Sequence, residues 1–197
     1  MLYFIKNIYY QTAMKNKPLE RILISSAITS AALAAVFFAL YFMLKTGFFL
    51  TAAITFAVIF YHFAMRLFIG TAAKGLLKKA ALTNSTFFNE KPFEKHLYRF
   101  LHVKKWKDKM PTYRPEDFSL KHKSCEEIIT ETKISETGHE IMALLSFAPI
   151  FMSKYFGAFW VFFITSFSAA LLDIAFVIIQ RYNRPRLEKL TEDRRKN

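Results

Sequence analysis

The chain has 197 residues, of which 23 are phenylalanine, five are glycine and one, Cys125, is cysteine. Its formal net charge is +13, and its apolar and charged residues occupy separate stretches, as is typical of integral membrane proteins. The composition argues against a nucleic-acid-binding protein, because no zinc spacing or aromatic RNA-binding motif accompanies the charge, and a single cysteine excludes an intrachain disulfide.

Four apolar segments are candidates for transmembrane helices, each of which needs about 20 apolar residues. They cover residues 22–44, 48–67, 141–153 and 155–179. Lys45-Thr46-Gly47 predicts a tight turn between the first two. The third is short for a full span, so it either extends back through His139 and Glu140 or is re-entrant and rests on protein.

These segments predict an all-α integral membrane protein with about four transmembrane helices in two hairpins and a basic helical cytoplasmic insertion. The expected regions are a basic amino-terminal segment (1–21), a first hairpin (22–67), a basic cytoplasmic or interfacial segment (68–140), a second hairpin (141–180) and a basic cytoplasmic tail (181–197). With both termini and the central segment inside, 26 of the 28 lysines and arginines are cytoplasmic, as the positive-inside rule requires.

The central segment is the largest polar part of the chain. Residues 72–82 predict a helix along the membrane surface, with three lysines suited to anionic head groups. A second helical stretch ends near Val103, and a loop follows around Pro111 and Pro115. Residues 126–140 predict a helix that runs into the third apolar segment.

Three ionisable residues lie within the predicted spans. His62 and Arg66 share one face of the second span, and Asp173 lies inside the fourth, at a similar depth in the inner leaflet. Such residues are candidate functional sites by default because they are costly in a bilayer. The alternative is a buried structural pair of Asp173 with Arg66 or His62 that fixes helix packing.

Glu136 and His139 lie three residues apart at the inner start of the third segment. At this spacing a carboxylate can orient an imidazole, which is the arrangement that deprotonates a hydroxyl group. Many surface helices carry such a pair, so the weight of this one comes from its place at the membrane surface.

Two basic clusters are candidate phosphate sites. Residues 103–109 combine four lysines with Trp106, and residues 181–187 place three arginines after the last apolar segment. Arginine binds phosphate through two parallel hydrogen bonds. The alternatives are adhesion to the membrane surface for the first cluster and a positive anchor for the second. Pro185 is expected to end the last helix.

The chain resembles the glycosyl-4,4'-diaponeurosporenoate acyltransferase family in three motifs that occur in order over roughly residues 87–190. The matching residues are Val103, Lys105, Trp106, Lys107 and Lys109, then Glu131, Thr132, Lys133, Glu136 and His139, then Gln180 to Leu187. The resemblance implies transfer of a fatty acyl chain to a sugar hydroxyl of a glycosylated carotenoid, or of a related glycolipid, at the plasma membrane.

The resulting hypothesis is an integral-membrane O-acyltransferase that binds no cofactor or metal and uses acyl-coenzyme A or an acyl-carrier thioester as its substrate. His139 takes the hydroxyl proton while Glu136 holds its tautomer. Transfer is expected to be direct, since no nucleophile motif is present. The residues expected to bind donor phosphate are Arg181, Arg184, Arg186, Lys105 and Lys107, and those expected to stabilise the oxyanion are Tyr182 and Asn183.

The alternative function is a non-catalytic membrane protein that binds lipid or serves as an accessory subunit. The enzyme hypothesis predicts that Arg184→Lys abolishes activity, and the accessory hypothesis predicts that this change is silent. Another small membrane transferase, such as a methyltransferase, lacks support from a glycine-rich cofactor loop. The expected partners are the bilayer, the glycolipid acceptor and the thioester donor, with no nucleic acid.

Overall fold

A computed structural model describes residues 18–71, 74–82, 86–157 and 159–196. Residues 1–17, which carry most of the expected basic amino-terminal segment, lie outside the described residues. Within the described ranges the chain is helical, without a β-strand. The α-helices in these ranges are α1 (Pro18–Leu44), α2 (Gly47–Thr71), α3 (Lys74–Leu82), α4 (Glu94–Phe100), α5 (Val103–Trp106), α6 (Cys125–Leu145), α7 (Ser153–Phe156) and α8 (Phe159–Lys196).

Helices α1, α2 and α8 are each long and apolar enough to cross a membrane. The first two form the predicted hairpin, which turns at Lys45 with a left-handed φ of 54°. The ring of Phe37 on α1 stacks against Phe49 and Phe56 on α2, with centroids 6.3 and 5.5 Å apart. The expected first hairpin is therefore present as a pair of packed apolar helices.

The expected third span does not form a long helix. Helix α6 ends at Leu145, a 3₁₀ turn covers Ala148–Met152, and the four-residue α7 follows. Pro149 lies in the first turn of the 3₁₀ segment, and the residue before a proline disfavours α-helical geometry. The described part of the chain thus has three helices of spanning length rather than the four expected.

Helix α8 continues through Pro185 to Lys196, so the expectation that this proline ends the helix is wrong. Proline in a helix removes one backbone hydrogen bond to the carbonyl four residues earlier. Before that position Arg181 and Arg184 bind side chains of α4 and α6, and after it Arg195 binds Glu126 at the start of α6. These tertiary contacts hold the two halves in one line, and the basic segment 181–196 is helical.

Helix α6 occupies the centre of the fold. Ser124 and Glu127 close its amino-terminal end as a reciprocal capping box, and buried residues then recur every two to four positions, so more than one face of the helix is covered. An apolar cluster joins α6 to α2 and α3. Its members are Met65, Ile69, Leu77, Ile134 and Met142. Along its length α6 also packs against α8, and this contact positions the polar side chains described below.

Candidate active site

A cavity of about 290 Å³ lies between α1, α2, α3, α6, α8 and the connection through residues 110–118. Most of its wall is apolar, with Leu23, Leu77 and Phe176 among the lining residues. His139, Arg66 and Asp173 line the same cavity. The space therefore combines an apolar surface, suited to a hydrocarbon chain, with a small group of ionisable side chains.

His139 is held in the cavity wall by two contacts. Its Nδ1 lies 3.1 Å from Oδ1 of Asp173, and its ring stacks on Phe176 with centroids 4.6 Å apart. The side chain of His139 is 21 % exposed, whereas that of Asp173 is 2 % exposed. A carboxylate at Nδ1 accepts the N–H of the neutral ring, and Nε2 is then the nitrogen with a free lone pair.

Arg66 binds the second oxygen of the same carboxylate. Its Nη2 donates to Oδ2 of Asp173 and to the backbone carbonyl of Ala169 at 3.2 Å, while its Nη1 donates to the carbonyl of His62 at 3.1 Å. This confirms the buried pair of Asp173 with Arg66. Because a buried carboxylate needs a counter-charge, the guanidinium of Arg66 supplies one to Asp173 beside the imidazole.

Glu136 does not orient His139, contrary to the sequence-based expectation. Its Oε1 accepts a hydrogen bond of 2.6 Å from Arg181, and its Oε2 accepts one from Arg184. The two residues three apart on α6 point to different surroundings, because His139 faces the cavity and Glu136 is completely buried beside the arginines. The partner of His139 is a carboxylate on another helix, 34 residues further along the chain.

Arg181 and Arg184 belong to a closed ionic network rather than to an open phosphate site. The Nε of Arg181 donates to Glu94 at 2.8 Å, and the Nε of Arg184 donates to Thr132 at 3.2 Å. The remaining guanidinium nitrogens donate to Glu136 and to backbone carbonyls of residues 87–89. This network joins α4, α6 and α8, so its evident role is structural.

Tyr98 extends the network through Glu94. Its hydroxyl donates a hydrogen bond of 2.8 Å to Oε2 of Glu94. Burial and this bond to a carboxylate raise the pKa of Tyr98 above its usual value. The phenol therefore remains a proton donor to Glu94 throughout the ordinary pH range.

The other residues expected at the site lie outside the cavity wall, with one exception. Lys107 lines the cavity, and its Nζ binds Asp108 at 2.6 Å. Tyr182 is buried against Tyr98 and Val103, and Arg186 stacks over its ring with 3.6 Å between guanidinium carbon and centroid. Lys105 is exposed and Asn183 is half-buried, and neither contributes to the cavity wall.

His62 is close in sequence to the site but makes no hydrogen bond with its ring nitrogens among the described residues. Its contact with Arg66 is through its backbone carbonyl. The structure thus brings Arg66 and Asp173 together, as expected for an intramembrane polar site, and places the imidazole of His139 with them instead of that of His62.

Several polar residues of the cavity wall are not among those expected at the site. They are Ser135, Gln180, Tyr113 and Arg114. Gln180 belongs to the carboxy-terminal motif and is only 9 % exposed. Helical spacing offered one signal, since Ser135 precedes His139 by four residues and so shares its face.

Two carboxylates at the cavity, Asp117 and Glu131, share a lysine. The Nζ of Lys123 lies 2.7 Å from Asp117 and 2.6 Å from Glu131. Partial burial favours the neutral amine, but the two ionic hydrogen bonds outweigh it and raise the pKa of Lys123. Within the described ranges, no cluster of three histidine, cysteine or carboxylate side chains is suited to hold a metal ion.

The similarity to known proteins covers the part of the chain that carries His139, Asp173 and the ionic network. A model of the family described as glycosyl-4,4'-diaponeurosporenoate acyltransferase matches residues 84–193, more than half of the sequence. No curated protein and no solved structure matches the chain. The match includes His139, Asp173 and the ionic network, and it excludes the first hairpin with Arg66. The chain therefore belongs to the glycosyl-4,4'-diaponeurosporenoate acyltransferase family.

Proposed function

We propose that the chain is an integral-membrane O-acyltransferase. It moves a fatty acyl chain from a thioester donor, acyl-coenzyme A or an acyl-carrier protein, to a sugar hydroxyl of a membrane glycolipid such as a glycosylated carotenoid. The observation that carries this proposal is the His139–Asp173 pair in the wall of an apolar cavity, in a chain of an acyltransferase family.

The pair supplies general base chemistry. Nε2 of His139 accepts the proton of the attacking hydroxyl, and Asp173 holds the ring and stabilises the imidazolium that forms. Arg66 keeps the Asp173 carboxylate in place. General acid–base catalysis of this kind contributes about 10²–10⁴-fold to a reaction rate.

The cavity supports the proposal through its apolar wall. A hydrocarbon chain gains about 0.8 kcal/mol for each methylene removed from water. The same wall excludes water from the acyl group, which favours transfer to the sugar over hydrolysis. Lys107 and Arg114 of the wall, together with exposed Lys105, are the proposed partners of donor phosphate.

The proposed site in the cell is the plasma membrane, with both termini and the central segment in the cytoplasm. The thioester donor then reaches the cavity from the cytoplasm, and the glycolipid acceptor reaches it from the inner leaflet. The three apolar helices support membrane insertion, and the distribution of lysine and arginine supports this orientation.

The test compares lipid extracts by mass spectrometry in a host that lacks the gene, complemented with wild type, His139→Ala or His122→Ala. His122 is an exposed histidine that does not line the cavity, so it is the matched control. We expect a lipid heavier by one acyl group with wild type and His122→Ala, and its loss with His139→Ala.

Two results would contradict the proposal. The same acylated lipid with His139→Ala, at equal protein level, would remove His139 from the chemistry. Identical lipid profiles with and without the wild-type chain, in a host that makes glycosylated carotenoids, would favour the alternative of a lipid-binding accessory protein whose cavity holds a lipid chain without turnover.

A further inference from the structure

Ser135 lies in the wall of the same cavity as His139 and Asp173. It precedes His139 by four residues on α6, so the two side chains share one face with about 5–6 Å between their Cβ atoms. Side chains of an α-helix lean toward its amino terminus. The imidazole of His139 therefore leans over the turn that carries Ser135.

The hydroxyl of Ser135 differs from the other hydroxyls of this helix. The hydroxyls of Thr130 and Thr137 donate to the backbone carbonyls four residues earlier, at 3.1 and 3.0 Å, and that of Thr132 donates to Ile129 at 2.6 Å. Ser135 makes no hydrogen bond of this kind within the described residues. Its proton is thus not held by the helix backbone.

We propose that Ser135 is the nucleophile of a Ser135–His139–Asp173 triad and that acyl transfer passes through an acyl-serine. This inference rests on the proposed acyltransferase function and replaces the direct transfer expected from the sequence. The triad is recognised by the roles and placement of its members, since such triads occur on unrelated folds and in different chain orders. Here two members come from one helical turn and the third comes from α8.

In the first half of the reaction Oγ of Ser135 attacks the thioester carbonyl, and Nε2 of His139 accepts the hydroxyl proton. The new C–O bond forms and the C–S bond breaks. The sulfur takes the proton from His139 and leaves as a free thiol. The products are an ester on Ser135 and the thiol of the donor.

In the second half the sugar hydroxyl attacks the carbonyl of the acyl-serine, and His139 accepts its proton. The bond between the carbonyl carbon and Oγ breaks, and Ser135 recovers its proton from His139. The product is a sugar ester, and the enzyme returns to its starting state. The first step transfers the acyl group from sulfur to oxygen, and the second transfers it from one oxygen to another. Neither step requires an oxidant or a reductant.

Gln180 is placed to donate hydrogen bonds in this reaction. Its amide lines the cavity on α8, seven residues after Asp173. A developing oxyanion at the acyl carbonyl accepts hydrogen bonds from its N–H groups. Such bonds stabilise the transition state more than the bound substrate.

The test uses the full-length chain in detergent or nanodiscs with palmitoyl-coenzyme A and no acceptor. We expect intact-protein mass spectrometry to show one palmitoyl group on Ser135, and labelled free coenzyme A to exchange into palmitoyl-coenzyme A. Ser135→Ala is expected to lose both signals and to lower transfer to host lipid by about 10³-fold or more. Thr137→Ala, two residues away on α6, is the matched control and keeps both signals.

Ser135→Cys separates chemistry from folding, because a thiol in the same place forms a thioester adduct of the same acyl group. Thermal unfolding of each variant identifies any loss of structure. Transfer to lipid by wild type without adduct or exchange, together with retained transfer by Ser135→Ala, would overturn the nucleophile and leave the acyltransferase function intact. An absence of transfer, adduct and exchange in the wild type would overturn both.

Discussion

Asp173 is the residue on which the candidate site depends most. It is buried, and its two oxygens bind different partners, His139 at Oδ1 and Arg66 at Oδ2. A buried carboxylate with two cationic or polar partners fixes both of them in place. The orientation of the imidazole in the cavity and the position of the first hairpin beside it therefore depend on one side chain.

Replacing this carboxylate by an amide tests its role. Asp173→Asn keeps the size of the side chain but no longer holds the Nδ1–H tautomer or stabilises an imidazolium. We expect turnover to fall by about 10³–10⁴-fold with little change in KM. Steady-state acyl transfer measures the effect, with thermal unfolding recorded in parallel because Arg66 loses its counter-charge. Unchanged turnover would exclude Asp173 from the mechanism.

Arg184 is expected to act on stability. Its three guanidinium nitrogens bind Thr132, the carbonyl of Phe88 and Glu136, and a lysine offers one nitrogen for three sites. We expect Arg184→Lys to lower the free energy of unfolding by about 2–4 kcal/mol. The exposed Arg194→Lys is the matched control in thermal unfolding of purified protein.

The structural role of Arg184 changes which hypotheses the Arg184→Lys variant can distinguish. On the sequence alone its loss of activity separates an enzyme from an accessory protein. In the structure the same change weakens the contact between α6 and α8, so it impairs either kind of protein. A variant as stable as wild type would contradict the network described for the buried arginines.

The residues of the site could be predicted singly from the sequence, but their partners could not. His139 and Asp173 stood out because ionisable groups are rare near apolar segments. Helical spacing gives neighbours only within one helix, and it suggested Glu136 as the partner of His139. The contact between Arg181 and Glu94 joins residues 87 positions apart, and no local pattern predicts it.

At the scale of the elements, α6 depends on a well-defined start. The backbone N–H of Ser124 donates to Glu127 at 2.7 Å, and the backbone N–H of Glu127 donates to Oγ of Ser124 at 3.2 Å. The hydrogen bond from the Ser124 backbone to the carboxylate, and after it the Ser124 side chain, lower the pKa of Glu127 below its ordinary 4.5. The ionised carboxylate therefore stabilises the helix that carries Ser135 and His139.

The sign of this shift gives a pH dependence. A carboxylate with a lowered pKa in the folded state contributes stability above its unfolded value, and the contribution is lost as the pH falls through the folded value. We expect Glu127→Gln to lower the Tm at neutral pH and to differ less from wild type below pH 4.5. Glu126→Gln, which affects only an exposed pair with Arg195, is the control.

A Tm difference for Glu127→Gln that stays constant from pH 7 to pH 3 would contradict an ionised cap, since the contribution would then not depend on the charge. Thermal scans of the two variants and wild type at a series of pH values measure it. Each variant is compared with wild type at the same pH, so the loss of stability that acid causes in all three proteins cancels from the Tm difference.

Element boundaries show where a hydropathy pattern is sufficient and where it is not. The α1–α2 hairpin follows directly from two long apolar runs and a short polar turn. Residues 141–153 are equally apolar, but Pro149 and the packing of this segment against α8 end the helix early. Pro185 shows the opposite case, because contacts made by neighbouring arginines preserve a helix that the local sequence disfavours.

At the scale of the whole molecule, the contact between Arg66 and Asp173 joins α2 and α8, two helices of spanning length. Arg66 lies about 28 Å from the start of α2 along its axis, and Asp173 lies about 21 Å from the start of α8. In the proposed topology both helices run inward, so contact between these side chains places the two helix starts within about 7 Å of each other in depth. The turn around Lys45 and the segment around Lys154 are therefore expected on the same face of the membrane.

This arrangement predicts which sites can be labelled in intact cells. Cys125 is buried, so the chain itself gives little background with a membrane-impermeant maleimide. We expect labelling of Thr46→Cys and Lys154→Cys from outside, and labelling of Lys189→Cys only after permeabilisation. Labelling of Lys189→Cys in intact cells would place the carboxy-terminal part of α8 outside and invert the proposed topology.

The central claim is that acyl transfer occurs in the cavity and depends on His139. The most direct test is to reconstitute purified protein in vesicles of host lipid extract, add acyl-coenzyme A, and follow the acylated glycolipid over time. Wild type is expected to form this lipid with release of free thiol, and His139→Ala to form it at least about 10²-fold more slowly. Equal rates for the two proteins, with equal amounts folded, would contradict the claim.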